Sequence, residues 1–136
     1  MAENGRLKKC VHEYSGGMTG GSYSAVVRRT RSGAVVSISD KEFHGAKTKK
    51  VRREISEECF LQLEKALSVF DFEKKAPDEL IAERSEMIAL DAPEETMSVV
   101  YEKASFSLSD NDLAPENAPA RRVITAFFDD IYFSTV

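Results

Sequence analysis

The sequence predicts an α+β fold: an antiparallel or mixed sheet of about six to seven strands with two helices packed on one face, in the order ββββαβββα. Three observations predict it. Residues 55–70 carry apolar side chains on one side only at helical spacing, and residues 118–133 do so again. Before each helix run segments of period-two alternation joined by brief polar turns, as expected for hairpins rather than strand–helix–strand crossovers.

In the first helical stretch, Ile55, Cys59, Phe60, Leu63, Ala66, Leu67 and Phe70 fall within one arc, and Glu57, Glu58, Glu64 and Lys65 fall outside it. Ser56 is placed to cap the first free N–H groups, with Glu57 and Glu58 where the helix dipole favours negative charge. Ile55 and Phe60 stand in the positions of a hydrophobic staple, and Pro77 bars continuation. The second helix is expected from Ala118 to Phe133, capped by Asn117, with Pro119 in its first turn. Val123, Ile124, Phe127, Phe128, Ile131 and Tyr132 make its apolar stripe.

Taken in order, residues 7–15 read as a first strand, with Cys10, His12 and Tyr14 on one face and Val11 on the other. Four glycines in residues 16–21 make a loop. Residues 22–30 and 34–39 read as two further strands around the Arg31-Ser32-Gly33 turn, where Gly33 is free to take a positive φ. Residues 47–54 fit either an early helix start or a charged edge strand; the cap at Ser56 favours the strand. After the first helix, residues 78–83 suggest a short helical turn and residues 87–90 a buried strand. Within residues 96–108 the apolar parity switches between Tyr101 and Ala104, implying a bulge or a hairpin turning at Glu102-Lys103.

At 136 residues the chain is expected to form a single domain, 1–136, with a core of its own. It is 42% hydrophobic and 31% charged, the composition of a soluble globular protein. No apolar run nears a membrane span, and the first residues lack the apolar centre of a signal peptide. Two cysteines make no disulfide framework, so the expected compartment is the cytoplasm, with reduced thiols. The net charge of −4 hides a division: residues 1–53 hold 12 Lys/Arg against 4 Asp/Glu, and the remainder is strongly acidic. Such a split marks either a basic binding face or two regions that attract each other.

The loop Gly16, Gly17, Met18, Thr19, Gly20 and Gly21 is a candidate binding loop, because successive N–H groups in such a loop cradle anions. It lacks the Lys-Ser/Thr ending of a nucleotide-binding loop, and a strand rather than a helix follows it. Cys10, His12, His44 and Cys59 are the residues a metal or a nucleophilic mechanism would use, but they do not share the short paired spacings of a zinc site. No metal and no cofactor is expected, and no carboxylate pair stands out as acid and base. Arg28, Arg29, Arg31, Lys47, Lys49, Lys50, Arg52 and Arg53 form a candidate basic face, which with Tyr14 and Tyr23 would suit phosphates and stacked bases. Strand alternation and a pI of 5.3 weigh against it.

The plan Tyr14-Ser-Gly-Gly-Met-Thr-Gly-Gly-Ser-Tyr23, central helix, Leu90-Asp91, and Pro115 or Pro119 before a last helix resembles a family of small bacterial α+β domains of uncharacterised function. The resemblance implies a fold plan and a bacterial source. The expectation for function is a non-enzymatic interaction or ligand-sensing domain, partnered by another protein or by itself through exposed strand edges. The alternative is weak nucleic-acid binding through the basic N-terminal half.

Overall fold

The computed structural model describes residues 5–16, 21–43, 45–74, 94–108 and 114–135. Strands β1 (Leu7–Ser15), β2 (Ser22–Arg29), β3 (Gly33–Lys41) and β4 (Lys49–Ser56) form a meander that leads into helix α1 (Glu57–Leu67). A hairpin, β5 (Glu94–Tyr101) and β6 (Ser105–Ser107), precedes a 3-10 turn (Pro115–Asn117) and helix α2 (Pro119–Thr135). The six strands make one sheet in the order β4-β3-β2-β1-β5-β6, antiparallel throughout. Residues 47–54 thus fall mainly in an edge strand. Residues 96–108 belong to a hairpin in which Tyr101 N–H donates to the Ala104 carbonyl at 2.7 Å. That turn needs no glycine, since no non-glycine residue described takes a positive φ. The helical turn at 78–83, the strand at 87–90 and Pro77 lie outside the described residues. No helix of the described residues is long and apolar enough to cross a membrane.

Alternation decides which side of the sheet is dry. Cys10, Ala25, Val27, Val36, Ile38 and Val99 share one face and are at most 2% exposed. A register shift between Leu7 and Lys9 turns Leu7 inward as well. Both helices cover this face and touch each other. Phe60, Leu63 and Leu67 descend from α1, and Ala120, Ile124, Phe128 and Ile131 from α2, into one cluster. Burying each of the large side chains contributes about 1.5–3 kcal/mol, so the helices are held by their apolar stripes. Phe127 and Tyr132 flank the cluster half-buried.

Four local expectations need correction. Helix α1 ends at Leu67 rather than Phe70, well before Pro77, because Ser68 closes it: its N–H donates to the Glu64 and Lys65 carbonyls and its Oγ to the latter. Ala66 is exposed and Cys59 only half-buried, since this shorter helix meets the sheet along a narrower line centred on Leu63. Asn117 lies inside the 3-10 turn rather than at the cap position, and its Nδ2 donates to the Asp71 carbonyl at 2.6 Å, tying the chain after α1 to the entrance of α2. Gly33 has no positive φ. It is glycine because a Cβ there would run into the carbonyl oxygen of Ile55 on the adjoining strand. The cap at Ser56 is as expected, its side chain accepting from Cys59 N–H at 3.1 Å.

Candidate functional site

Helix α2 carries a polar line beside its apolar stripe. Arg121, Thr125 and Asp129 recur every four residues and so share a flank. This flank borders the β5 side of the sheet, where Glu95 and Met97 stand on the covered face next to His12 of β1. Together they bound an open cleft of about 490 Å³, lined by Glu95, Met97, Ala118, Arg121, Arg122, Thr125, Ala126 and Asp129. Met97 is buried and gives the cleft an apolar floor, while the guanidinium and carboxylate groups form its rim.

Glu95 joins the helix to the sheet. Its Oε1 takes the Arg121 guanidinium, and its Oε2 lies 3.5 Å from His12 Nε2. His12 is packed edge-on against Tyr23, with ring centroids 5.3 Å apart. The Nε2 atom is closed off from solvent and makes no hydrogen bond. Burial lowers the imidazole pKa, the Arg121 charge lowers it further, and Asp129 offsets part of this. His12 is therefore neutral at pH 7. Burial, with Asp129 and Asp40 adding repulsion, pushes the Tyr23 phenol up to about 12. On the far side of Tyr23, the Tyr132 hydroxyl donates to Asp40 Oδ2 at 3.2 Å.

An imidazole nitrogen closed to solvent is not placed to take a proton from a molecule in the cleft. Cys10 lies in the core, where burial raises its thiol to about 12, so it is an inert packing residue. Cys59 sits on α1 and His44 lies outside the described residues. Among the described residues no three His, Cys, Asp or Glu side chains come together to hold a metal ion.

The glycine loop closes at its base, where Gly16 N–H donates to the Gly21 carbonyl at 2.7 Å. Gly17, Met18, Thr19 and Gly20 lie outside the described residues. The eight basic residues are divided by strand pleating. Arg28, Lys50 and Arg52 project from the uncovered face, whereas Arg29, Lys49 and Arg53 belong to the covered side. Arg53 Nη1 donates to Ser134 on α2 at 2.7 Å, and Arg29 pairs with Glu102 at 3.1 Å. Arg31 is in the β2–β3 turn and Lys47 in the connector before β4. Tyr14 and Tyr23 share the covered side, away from Arg28, Lys50 and Arg52. A second cleft of about 560 Å³ gathers Arg6, Arg29 and Arg31 beside the start of α1. Two of these are already engaged, Arg6 with Glu64 and Arg29 with Glu102.

Sequence reasoning singled out His12 but missed Glu95, Arg121 and Asp129. The signal was the four-residue spacing of Arg121, Thr125 and Asp129 along the margin of an amphipathic helix. What β5 sets opposite that margin emerges only once the strands are in register. No family model matches the chain, and neither the curated proteins nor the solved structures yield a match.

Proposed function

We propose that this chain is a non-enzymatic, cytoplasmic ligand-sensing domain whose α2 cleft takes a small zwitterion, of the class of a free amino acid with an apolar side chain. One observation carries the reading: two guanidiniums, Arg121 and Arg122, and two carboxylates, Glu95 and Asp129, ring a single cleft with Met97 as its floor. A pure anion meets the carboxylates there and a pure cation meets the guanidiniums. A molecule with both charges suits both, and its apolar part lies over Met97 and Ala126. Sensing follows from Glu95. A ligand carboxylate that draws Arg121 away leaves Glu95 facing His12, so occupancy reaches the central strands.

Titration calorimetry with apolar, acidic and basic amino acids tests this. Apolar ones should bind, and Arg122→Gln and Asp129→Asn should each weaken them. No heat at millimolar ligand, or binding indifferent to both substitutions, overturns it. The alternative, nucleic-acid binding, draws its support from Arg6, Arg29 and Arg31 meeting at the second cleft. It requires affinity for single strands or duplex that falls steeply with salt.

A further inference from the structure

The side of the sheet away from the helices poses a different question. Its central residues fall in three rows across the strands, fixed by the strand register. The middle row runs Arg52, Ser37, Val26, Val11, Ser98. Towards one end of the strands lies the row Lys50, Ser39, Ser24, Glu13, Thr96, and towards the other Glu54, Val35, Arg28, Lys9, Val100. A sheet face meant for water alternates cleanly against its buried side. This one has valine at its centre. Val11 and Val26 are cross-strand partners, and Val35 and Val100 flank them, all half-buried. Ser24, Ser37, Ser39 and Ser98 lie among them, short enough to let a flat surface approach closely.

We propose that this face is the isologous interface of a homodimer, in which two sheets stack face to face about a two-fold axis running along the middle row. The argument is charge complementarity. Such an axis exchanges the two outer rows strand by strand. Lys9 then faces Glu13 of the second copy, and Glu54 faces Lys50 of the second copy, each contact occurring twice. Arg28 meets Ser24, and Val35 meets Ser39. Val11 and Val26 meet their own copies at the centre. Among the charged residues Arg52 alone faces its like, and it does so on edge strand β4, where solvent screens it and Glu54 stands nearby. An axis along the strands has no such matching, because it sets Lys50, Arg52 and Glu54 of β4 against Ser105 and Ser107 of β6. Stacking at the usual offset of about 30° keeps the central rows opposed. The interface lies on the opposite side of the sheet from the α2 cleft and stands independently of it.

Sedimentation equilibrium of the full chain tests the proposal, with circular dichroism confirming that each variant is folded. The wild-type chain should sediment at twice the monomer mass. Val26→Glu should give a monomer, because it sets two like charges together at the centre. Lys9→Glu alone and Glu13→Lys alone should each weaken the dimer by about tenfold or more, and the double reversal should restore it to within about threefold of wild type. A monomer at every concentration overturns the proposal. So does a dimer that ignores the single reversals, or one that the double reversal fails to rescue, since either outcome puts the contact elsewhere.

Discussion

Glu95 Oε2 stands 3.5 Å from His12 Nε2 while the other oxygen of the same carboxylate holds Arg121. The carboxylate is thus shared between a sheet histidine and a helix arginine, and the arginine has it. This leaves His12 half-buried and neutral, with its pKa held down chiefly by desolvation and next by the Arg121 charge.

Stability should fall as pH drops through about 6.5, the ordinary histidine value. The unfolded chain takes up a proton there that folded His12 resists, so acid draws the equilibrium towards unfolding until the lower folded pKa is reached. Urea melts of wild type and His12→Gln between pH 5 and 8 check this. The variant should lose less stability over that range, and parallel curves would count against a neutral, half-buried His12.

Arg121→Gln should raise the His12 pKa, because it removes a nearby cation and frees Glu95 to face the imidazole. The stability change should stay within about 1 kcal/mol, since the Arg121–Glu95 pair is partly solvated. Imidazole proton resonances followed against pH read the first effect, and denaturant midpoints the second. An unmoved His12 titration would mean that Arg121 does not govern it.

Phe128→Ala should cost about 3–5 kcal/mol, whereas Phe133→Ala on the same helix should stay within about 0.5 kcal/mol. Phe128 is fully buried and Phe133 is 71% exposed. Comparable losses at both positions would contradict the orientation of α2.

Gly33→Ala should cost about 1–3 kcal/mol through crowding. The added methyl meets the Ile55 carbonyl, and the β3–β4 register must shift to admit it. Thermal melts read this directly. A neutral result would mean that the two strands stand further apart.

Periodicity made most of the architecture legible. The stripes of α1 and α2, the first strand at Leu7–Ser15, the cap at Ser56 and the turn at residues 102–103 follow from side chains within a few positions of each other. Gly33 was harder, because its constraint is an oxygen more than 20 residues away in the chain. Likewise Asn117 has the composition of a cap, but its partner, the Asp71 carbonyl, comes from another part of the chain. The cleft was hardest of all. Glu95, Arg121 and His12 are unremarkable in sequence and come together only through the β1–β5 register and the way α2 crosses the sheet. A charge run such as residues 47–53 is conspicuous, yet pleating sends alternate members to opposite sides.

The account rests on the α2 cleft binding a zwitterion through groups that answer to His12. The most direct measurement is the His12 imidazole titration by nuclear magnetic resonance, in the absence and presence of a saturating apolar amino acid. The ligand should raise the His12 pKa as its carboxylate engages Arg121 and Glu95 turns to the imidazole, and by linkage it should bind more tightly as pH falls. A ligand that binds and leaves the His12 titration unchanged, or no binding by any member of the class, would contradict the account.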